Sequence, residues 1–266
     1  MSTLPEIESV IGAVREASRL MLTDAFEVES KGGYENIVTS SDLAVQDFLC
    51  ERLASLLPGC GFICEEEGIC TPDREYVWVI DPIDGTANYA RHLPDSAISV
   101  ALKHGNEVVM GVIYIPSRDE MHYAMKGSGA FCNGRKISVS SRPFDDSVFC
   151  TAMSTYRKEF AGICSDIIME TYYQCNDVRR YGSSAVELCL LASGKCDLYF
   201  EMRLMPWDYA AGILLVREAG GTITNLSGEQ PRFEGPDLVC AANNAANHER
   251  LLGIIRSHLA ERPYED

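Results

Sequence analysis

At 266 residues, 46% hydrophobic and 23% charged, the chain is long enough to bury a substantial core and suits one large globular unit or two fused lobes. It has no uncharged apolar run of about 18 residues, which argues against a membrane span. The formal net charge of −16 repels phosphate backbones and argues against a nucleic-acid partner.

The excess acid reads chiefly as a solubility feature. The 11 cysteines are odd in number, contain no CxxC pair and match neither a zinc-finger nor a haem spacing. Several sit in apolar runs, as at Cys150, Cys189 and Cys240, where Cys behaves as a small hydrophobe. A reduced, cytoplasmic setting is the expectation. The N-terminus lacks a basic leader followed by an apolar block, so it does not read as a secretory signal.

Instead, Ile7, Val10, Ile11, Val14 and Met21 fall on one face of a helix predicted over residues 5–24. A second helix is predicted over 41–57, with Val45, Phe48, Leu49, Leu53 and Leu56 as its apolar stripe. Strand-like runs follow at 61–64 and 76–80, each ending at an acidic residue. Runs at 97–104 and 108–115 flank Gly105-Asn106, a hairpin signal. Runs at 120–125, 130–132 and 136–139 continue the pattern, punctuated by Gly127, Gly129 and Asn133-Gly134. Residues 1–140 therefore read as a lobe of helices on a largely antiparallel sheet.

Residues 141–266 alternate strand and helix. Strands are predicted at 148–153, 197–201, 222–224 and 238–242, and helices at 184–192, 208–219 and 247–259. Gly220-Gly221 stops the second of these helices. The expected fold class is thus α/β, an α+β lobe followed by an α/β lobe.

The chemistry concentrates at residues 78–89, WVIDPIDGTANY. Asp81 ends a predicted strand and can point from the sheet edge into a crevice. Pro82 fixes the next turn, and Asp84 brings a second carboxylate back to the same side. Glu65 and Glu66 end the neighbouring strand, so one of them can face Asp81. Carboxylates converging in this way repel unless cations lie between them. Magnesium prefers carboxylate oxygens and is usually shared with substrate phosphates. Gly85-Thr86 reads as the opening of a helix whose N–H groups receive phosphate oxygens. Asp81 and Asp84 taken singly read as turn caps. With Gly85-Thr86 attached, they mark a meeting point of metal and phosphate, and so metal-assisted phosphoryl transfer.

Other candidates carry less. His92, His104, His122, His248 and His258 show no metal-like spacing and read as surface or turn residues. Ser183-Ser184 lacks the glycine pattern of a nucleophile elbow. Gly127-Ser128-Gly129 lies between strands and reads as a hairpin.

Residues 81–89, DPIDGTANY, resemble the signature of the inositol monophosphatase family of magnesium-dependent, lithium-sensitive phosphatases, and residues 207–221, WDYAAGILLVREAGG, resemble a second signature of that family. Glu65-Glu66, Thr39-Ser40-Ser41-Asp42 and Gly182-Ser183-Ser184-Ala185 fall where the family has matching elements, so the resemblance spans roughly residues 5–255. It implies the layered αβαβα sandwich of inositol monophosphatase and fructose-1,6-bisphosphatase-like proteins, two to three Mg2+ ions and a homodimer. Glu65, Asp81 and the Ile83 carbonyl are implied ligands of a first ion, Asp81, Asp84 and Asp208 of a second, and Glu65 of a weaker third. Thr86 and Asp42 are implied to orient and deprotonate the attacking water, and the Gly85 and Thr86 amides to cradle the phosphate. Glu201 matches a contact to substrate hydroxyls, with Ser184 near the same pocket.

The implied activity is hydrolysis of a small polyol phosphate, myo-inositol monophosphate first, by direct attack of water. The alternatives share the metal core but act on fructose-1,6-bisphosphate, histidinol phosphate or a 3′(2′),5′-bisphosphate nucleotide, or the role is non-catalytic and regulatory. Glu201 leans against a second substrate phosphate by like-charge repulsion. The sequence departs from the family at Cys64, where a Gly usually precedes the Glu pair, at Glu67, read as a solvated third acid, and at Arg203-Leu204-Met205-Pro206. Arg203 is read as a surface pair rather than an anion contact, and Arg179-Arg180-Tyr181 as packing or a subunit contact.

Overall fold

A computed structural model describes residues 4–21, 28–33, 36–66, 71–155 and 157–261. Helix α1 (Ile7–Ala17) is followed by a short ribbon of β1 (Val28–Gly33) and β2 (Asn36–Thr39), then α2 (Ser40–Leu56), β3 (Gly61–Cys64), β4 (Tyr76–Asp84) and the single turn α3 (Thr86–Tyr89). Strands β5 (Ala97–His104), β6 (Glu107–Ile115), β7 (Glu120–Met125), β8 (Gly129–Cys132) and β9 (Arg135–Ile137) form a meander. The remainder runs β10 (Val148–Thr151), α4 (Ala161–Tyr172), β11 (Asp177–Arg179), α5 (Ser184–Ala192), β12 (Leu198–Leu204), α6 (Pro206–Glu218), β13 (Thr222–Thr224), β14 (Asp237–Ala242) and α7 (Ala245–Glu261).

Strands β3 to β9 make a seven-stranded sheet in sequence order, parallel only between β3 and β4. A five-stranded sheet has the order β11-β10-β12-β14-β13, parallel across its first three strands and antiparallel after. Three apolar clusters then give five layers. Val10, Val14, Val45, Leu49 and Leu53 of α1 and α2 pack on Trp78, Ile80, Val100 and Val112 of the larger sheet. Leu188, Leu191, Ile213 and Leu215 of α5 and α6 fill the space between the two sheets. Ile163, Ile167, Leu251 and Ile255 of α4 and α7 cover the outer face of the smaller sheet. The expected αβαβα sandwich is the observed one.

The central layer explains the composition of α6. A helix that is apolar all round belongs inside, and Tyr209 to Val216 are buried without interruption. Gly212 lets α6 approach α5 closely, since a Cβ there would lie 2.3 Å from Leu188 Cδ1. Each fully buried Leu or Ile contributes about 1.5–3 kcal/mol relative to exposure.

The structure corrects several sequence expectations. Helix α1 ends at Ala17 and passes into a 3₁₀ turn, and residues 22–24 of the predicted helix lie outside the described residues. The β1–β2 ribbon, α4 and β11 were not predicted: the three strands lack a clean apolar alternation, whereas α4 does carry Ile163, Cys164, Ile167 and Ile168 at helical spacing, a signal the sequence reading missed. Strand β12 extends to Leu204 and α6 begins at Pro206, where Pro suits a first helical turn. His122 and His248 are buried, not surface or turn residues. Glu67 lies outside the described residues. Among the described residues no helix is long and apolar enough to cross a membrane.

Candidate active site

Strand β4 does not stop at Asp81, as expected, but runs on to Asp84 through a bulge. Asp81 faces Ser99 and Asp84 faces Ala97 across β5, so residues 82 and 83 of β4 oppose the single residue Ile98. Pro82 has no N–H to give the ladder, which favours a bulge at this point. Side chains alternate along a strand, so Asp81 and Asp84 would otherwise point to opposite faces. The extra residue brings both carboxylates to one side.

Two further elements converge on them. The parallel register pairs Cys64 with Ile80, and Glu65 N donates to Ile80 O at 3.2 Å, which sets Glu65 beside Asp81 as expected. Asp208 sits in the first turn of α6, where its Oδ2 accepts Met205 N at 2.7 Å. Ligand atoms of Asp81, Asp84 and Asp208 all lie within 4.8 Å of one another.

The α5 turn holds Asp84 in place. Its Oδ2 accepts Ser183 Oγ and Ala185 N, each at 2.6 Å, and Ser184 Oγ at 3.3 Å. Ser183 also caps α5, and Glu187 steadies the turn by accepting Tyr181 N at 2.6 Å. Sequence reading did not single out Ser183 or Glu187 for the site. The Ser-Ser pair before an apolar helix was the available signal, as an N-cap.

Gly85 adopts a left-handed φ of 83°, and a Cβ there would lie 2.8 Å from Asp95 O, so glycine is required on both counts. α3 is only four residues long, too short for the macrodipole assistance expected of a helix. Its local donors remain, although the Gly85 amide also turns to the Asp84 carboxylate. Thr86 Oγ1 reaches Ile83 O at 2.9 Å and Asp42 Oδ1 at 3.2 Å, with one proton to share between them. Asp42 is fully buried behind Thr86 and is also bonded by Thr39 N at 2.8 Å and by the Thr39 hydroxyl. Its carboxyl is raised by burial, against the opposing pull of Thr39.

All the predicted site residues except Asp42 line one cleft of about 820 Å3: Glu65, Asp81, Ile83, Asp84, Gly85, Thr86, Ser184, Glu201 and Asp208. Ala152, Ser154 and Thr155, not foreseen, form part of the wall. So do Arg157, Arg180 and Arg203, which corrects the surface reading of Arg203 and adds Arg180 to the cleft. Glu201 accepts Tyr199 Oη at 3.0 Å, and burial pushes its carboxyl up to about 7.

The donor set fits a divalent cation. Asp81 is held well above the usual carboxylate range, first by burial and then by the charges of Glu65, Asp84 and Asp208; Asp208 is raised by burial and then by Asp84 and Glu65. Asp81 Oδ1 is buried and meets no hydrogen-bond donor among the described residues. A buried acceptor left in that state is costly, and a cation bridging the carboxylates would relieve both the missing partner and the repulsion.

A layered αβαβα fold with three aspartates gathered at a sheet edge beside a Gly-Thr turn defines a class of proteins with a candidate cation site in an acidic cleft. The family model described as the inositol monophosphatase family matches residues 5–260. The chain belongs to that family. It is 32% identical over 264 residues to the Nus factor SuhB of Escherichia coli K12, covering 97% of this chain and 96% of that protein. It is 33% identical over 259 residues to an inositol-1-monophosphatase of Mesorhizobium japonicum, covering 95% and 97%. Among solved structures, the extragenic suppressor protein SuhB of Bartonella henselae superposes with a TM-score of 0.87 at 31% identity, covering 94% of this chain and 98% of that one.

Proposed function

We propose that the chain is a magnesium-dependent phosphomonoesterase acting on a small polyol phosphate, with myo-inositol monophosphate the first substrate to test. The convergence of Asp81, Asp84 and Asp208 around a buried, unpartnered Asp81 oxygen carries this reading. Glu65, Asp81 and the Ile83 carbonyl would hold one Mg2+, and Asp81, Asp84 and Asp208 a second, with Glu65 reaching a weaker third. Mg2+ held there would supply charge neutralisation for a phosphoryl group and a water more easily deprotonated near neutral pH.

The chain's own residues supply the rest. The Thr86 hydroxyl orients the attacking water, and Asp42 reaches that water only through Thr86, as proton acceptor and anchor. The Gly85 and Thr86 amides donate to phosphate oxygens, the former shared with Asp84. Glu201 accepts substrate hydroxyls, and Ser184 keeps Asp84 and the start of α6 in register. A lobe boundary near residue 140, between the two sheets, a homodimer and a cytoplasmic setting belong to the same proposal.

A second reading has an observation of its own. Arg91, Arg157, Arg180 and Arg203 line the cleft, which favours a substrate with a second anionic group and offsets the repulsion by Glu201. The regulatory alternative draws on relatives named as Nus factors.

Phosphate release from inositol, glycerol, histidinol, fructose and adenosine phosphates, with and without Mg2+ and lithium, separates these readings. Hydrolysis of a polyol monophosphate supports the first. Preference for bisphosphates supports the second. No release from any ester leaves the regulatory role, and a trapped phosphoenzyme contradicts direct water attack.

A further inference from the structure

Helix α2 carries Asp42, Gln46 and Cys50 at intervals of four, on one face. Asp42 touches the site directly, whereas Gln46 and Cys50 touch the residues on either side of Glu65. Asp42 accepts the Thr86 hydroxyl. Gln46 grips the backbone after Glu65 with both ends of its amide, Nε2 donating to Glu66 O at 3.2 Å and Oε1 accepting Glu66 N at 3.0 Å. One turn further, Cys50 Sγ lies 3.8 Å from Cys64 Sγ, as two thiols. Cys64 is the last residue of β3 and immediately precedes Glu65, and it is one of the positions where the sequence departs from the family signature. Cys50 is buried, and Cys64 is partly exposed.

We propose that Cys50 and Cys64 form a peroxide-sensitive dithiol whose closure to a disulfide moves Glu65 out of position and switches the site off. The loss of hydrolysis, though not the bridge itself, rests on the phosphatase reading above.

The redox step balances with hydrogen peroxide as oxidant. The more exposed sulfur, that of Cys64, attacks one peroxide oxygen; the O–O bond breaks, leaving a sulfenic acid and releasing water. The Cys50 sulfur then attacks the sulfenic sulfur, the S–S bond forms, and the hydroxyl leaves with the Cys50 proton as a second water. Two thiols give up two electrons and the peroxide takes them.

A disulfide of about 2.05 Å requires the sulfurs to approach by roughly 1.8 Å. Side-chain rotation covers part of this, and the backbone must supply the remainder. The backbone at Cys64 is tied to β4 by the parallel ladder, and the next residues are tied to Ile80 and to Gln46. No slack loop lies between the new bond and Glu65. Strain therefore passes to Glu65 at one end or, through α2, to Asp42 and Thr86 at the other. A misplacement of about 1 Å in a catalytic array costs on the order of a hundredfold in rate. Cys150 and Cys196, which also neighbour each other, are both buried and offer an oxidant no comparable approach.

The test uses the full chain, reduced and then treated with hydrogen peroxide, with peptide mapping under non-reducing conditions and Mg2+ affinity by calorimetry alongside phosphate release. The expected result is a peptide pair linked through Cys50 and Cys64, weaker Mg2+ binding, and phosphate release lowered by about ten- to a hundredfold and restored by dithiothreitol. Cys50→Ala should keep its basal rate and resist peroxide, and Cys64→Ser, checked by its melting curve, serves the same purpose if Cys50→Ala does not fold. Persistence of both thiols, linkage of Cys64 to a different cysteine, or a bridge that leaves both Mg2+ affinity and rate unchanged would overturn the proposal. If reduced wild type shows no Mg2+-dependent hydrolysis, the phosphatase reading fails instead, and mapping with calorimetry still decides the switch.

Discussion

Asp197 and Asp81 are buried alike, at 0% and 2% exposure, yet the protein treats them in opposite ways. Asp197, just before β12, accepts Val148 N at 2.8 Å, Arg142 Nη1 at 2.9 Å and the Ser140 hydroxyl. Asp81 has an oxygen with no donor and three carboxylates around it. Where an acid serves architecture, the chain supplies its donors and its cation. At Asp81 no donor among the described residues meets that oxygen, which on the proposed reading marks a ligand rather than a structural aspartate.

The largest expected effect breaks that distinction on the cleft side. Asp81→Asn should lower hydrolysis by about a thousandfold, equivalent to several kcal/mol of lost transition-state stabilisation. Its metal-free stability should equal or exceed that of wild type, because one repelling charge is gone. A loss of stability matching the loss of activity would show that Asp81 is architectural after all.

Asp197→Asn should do the reverse. Removing a fully buried charge partnered by Arg142 and a backbone N–H is expected to cost about 3 kcal/mol in denaturant unfolding. Activity per folded molecule should stay near wild type. A selective drop in turnover with unchanged stability would contradict the contrast.

His122 is a third treatment of buried charge, an imidazole kept neutral. It is 1% exposed, and burial lowers its pKa to about 4. Its folded value lies below the unfolded value of about 6.5, so the unfolded chain binds the extra proton between those values and stability falls as pH drops through that window, by up to about 3 kcal/mol. His122→Asn should flatten this part of the pH–stability curve. An unchanged slope between pH 6.5 and 4 would rule the residue out as its source.

The smallest effect sharpens the comparison by adding the missing partner. Asp81, Asp84 and Asp208 are each raised by burial, and Asp81 and Asp208 also by neighbouring carboxylates, chiefly Glu65 for Asp81 and Asp84 for Asp208. Groups raised in this way favour the fold below their unfolded pKa, and that contribution is lost as pH rises through the folded value. Mg2+ should therefore raise the melting temperature more at pH 8 than at pH 5. At a hundred times its Kd it is worth about 2.7 kcal/mol, and Asp81→Asn should lose much of that shift. An equal Mg2+ shift at both pH values would place binding elsewhere.

Much of this was legible in the sequence because it rests on local pattern. The apolar stripe of α2 and the Gly105-Asn106 hairpin signal stand in the structure as expected. Glu65, Asp81, Asp84 and Asp208 were legible as acids at the ends of apolar runs or in family signatures. What escaped depends on register and on distant packing. A bulge at Pro82 is a matter of how β4 pairs with β5, so residues 78–89 alone suggested a turn. Ser183 and Ala185 reach Asp84 from about a hundred residues away in sequence. Arg203 joins the cleft because β12 runs on to Leu204, an extension that its short apolar pattern did not announce. The burial of Asp42 behind Thr86 was invisible for a related reason: it depends on how the start of α2 sits against residues 83–86, and in the structure the same carboxylate also closes the capping box of α2.

The most direct test of the central claim is Mg2+-dependent release of inorganic phosphate from the ester panel by wild type and by Asp84→Asn, side by side. Wild type should hydrolyse at least one small phosphomonoester only when Mg2+ is present, with inhibition by lithium, and Asp84→Asn should be slower by about a thousandfold. Near wild-type turnover in Asp84→Asn, or no release from any ester by wild type with Mg2+, would contradict the account.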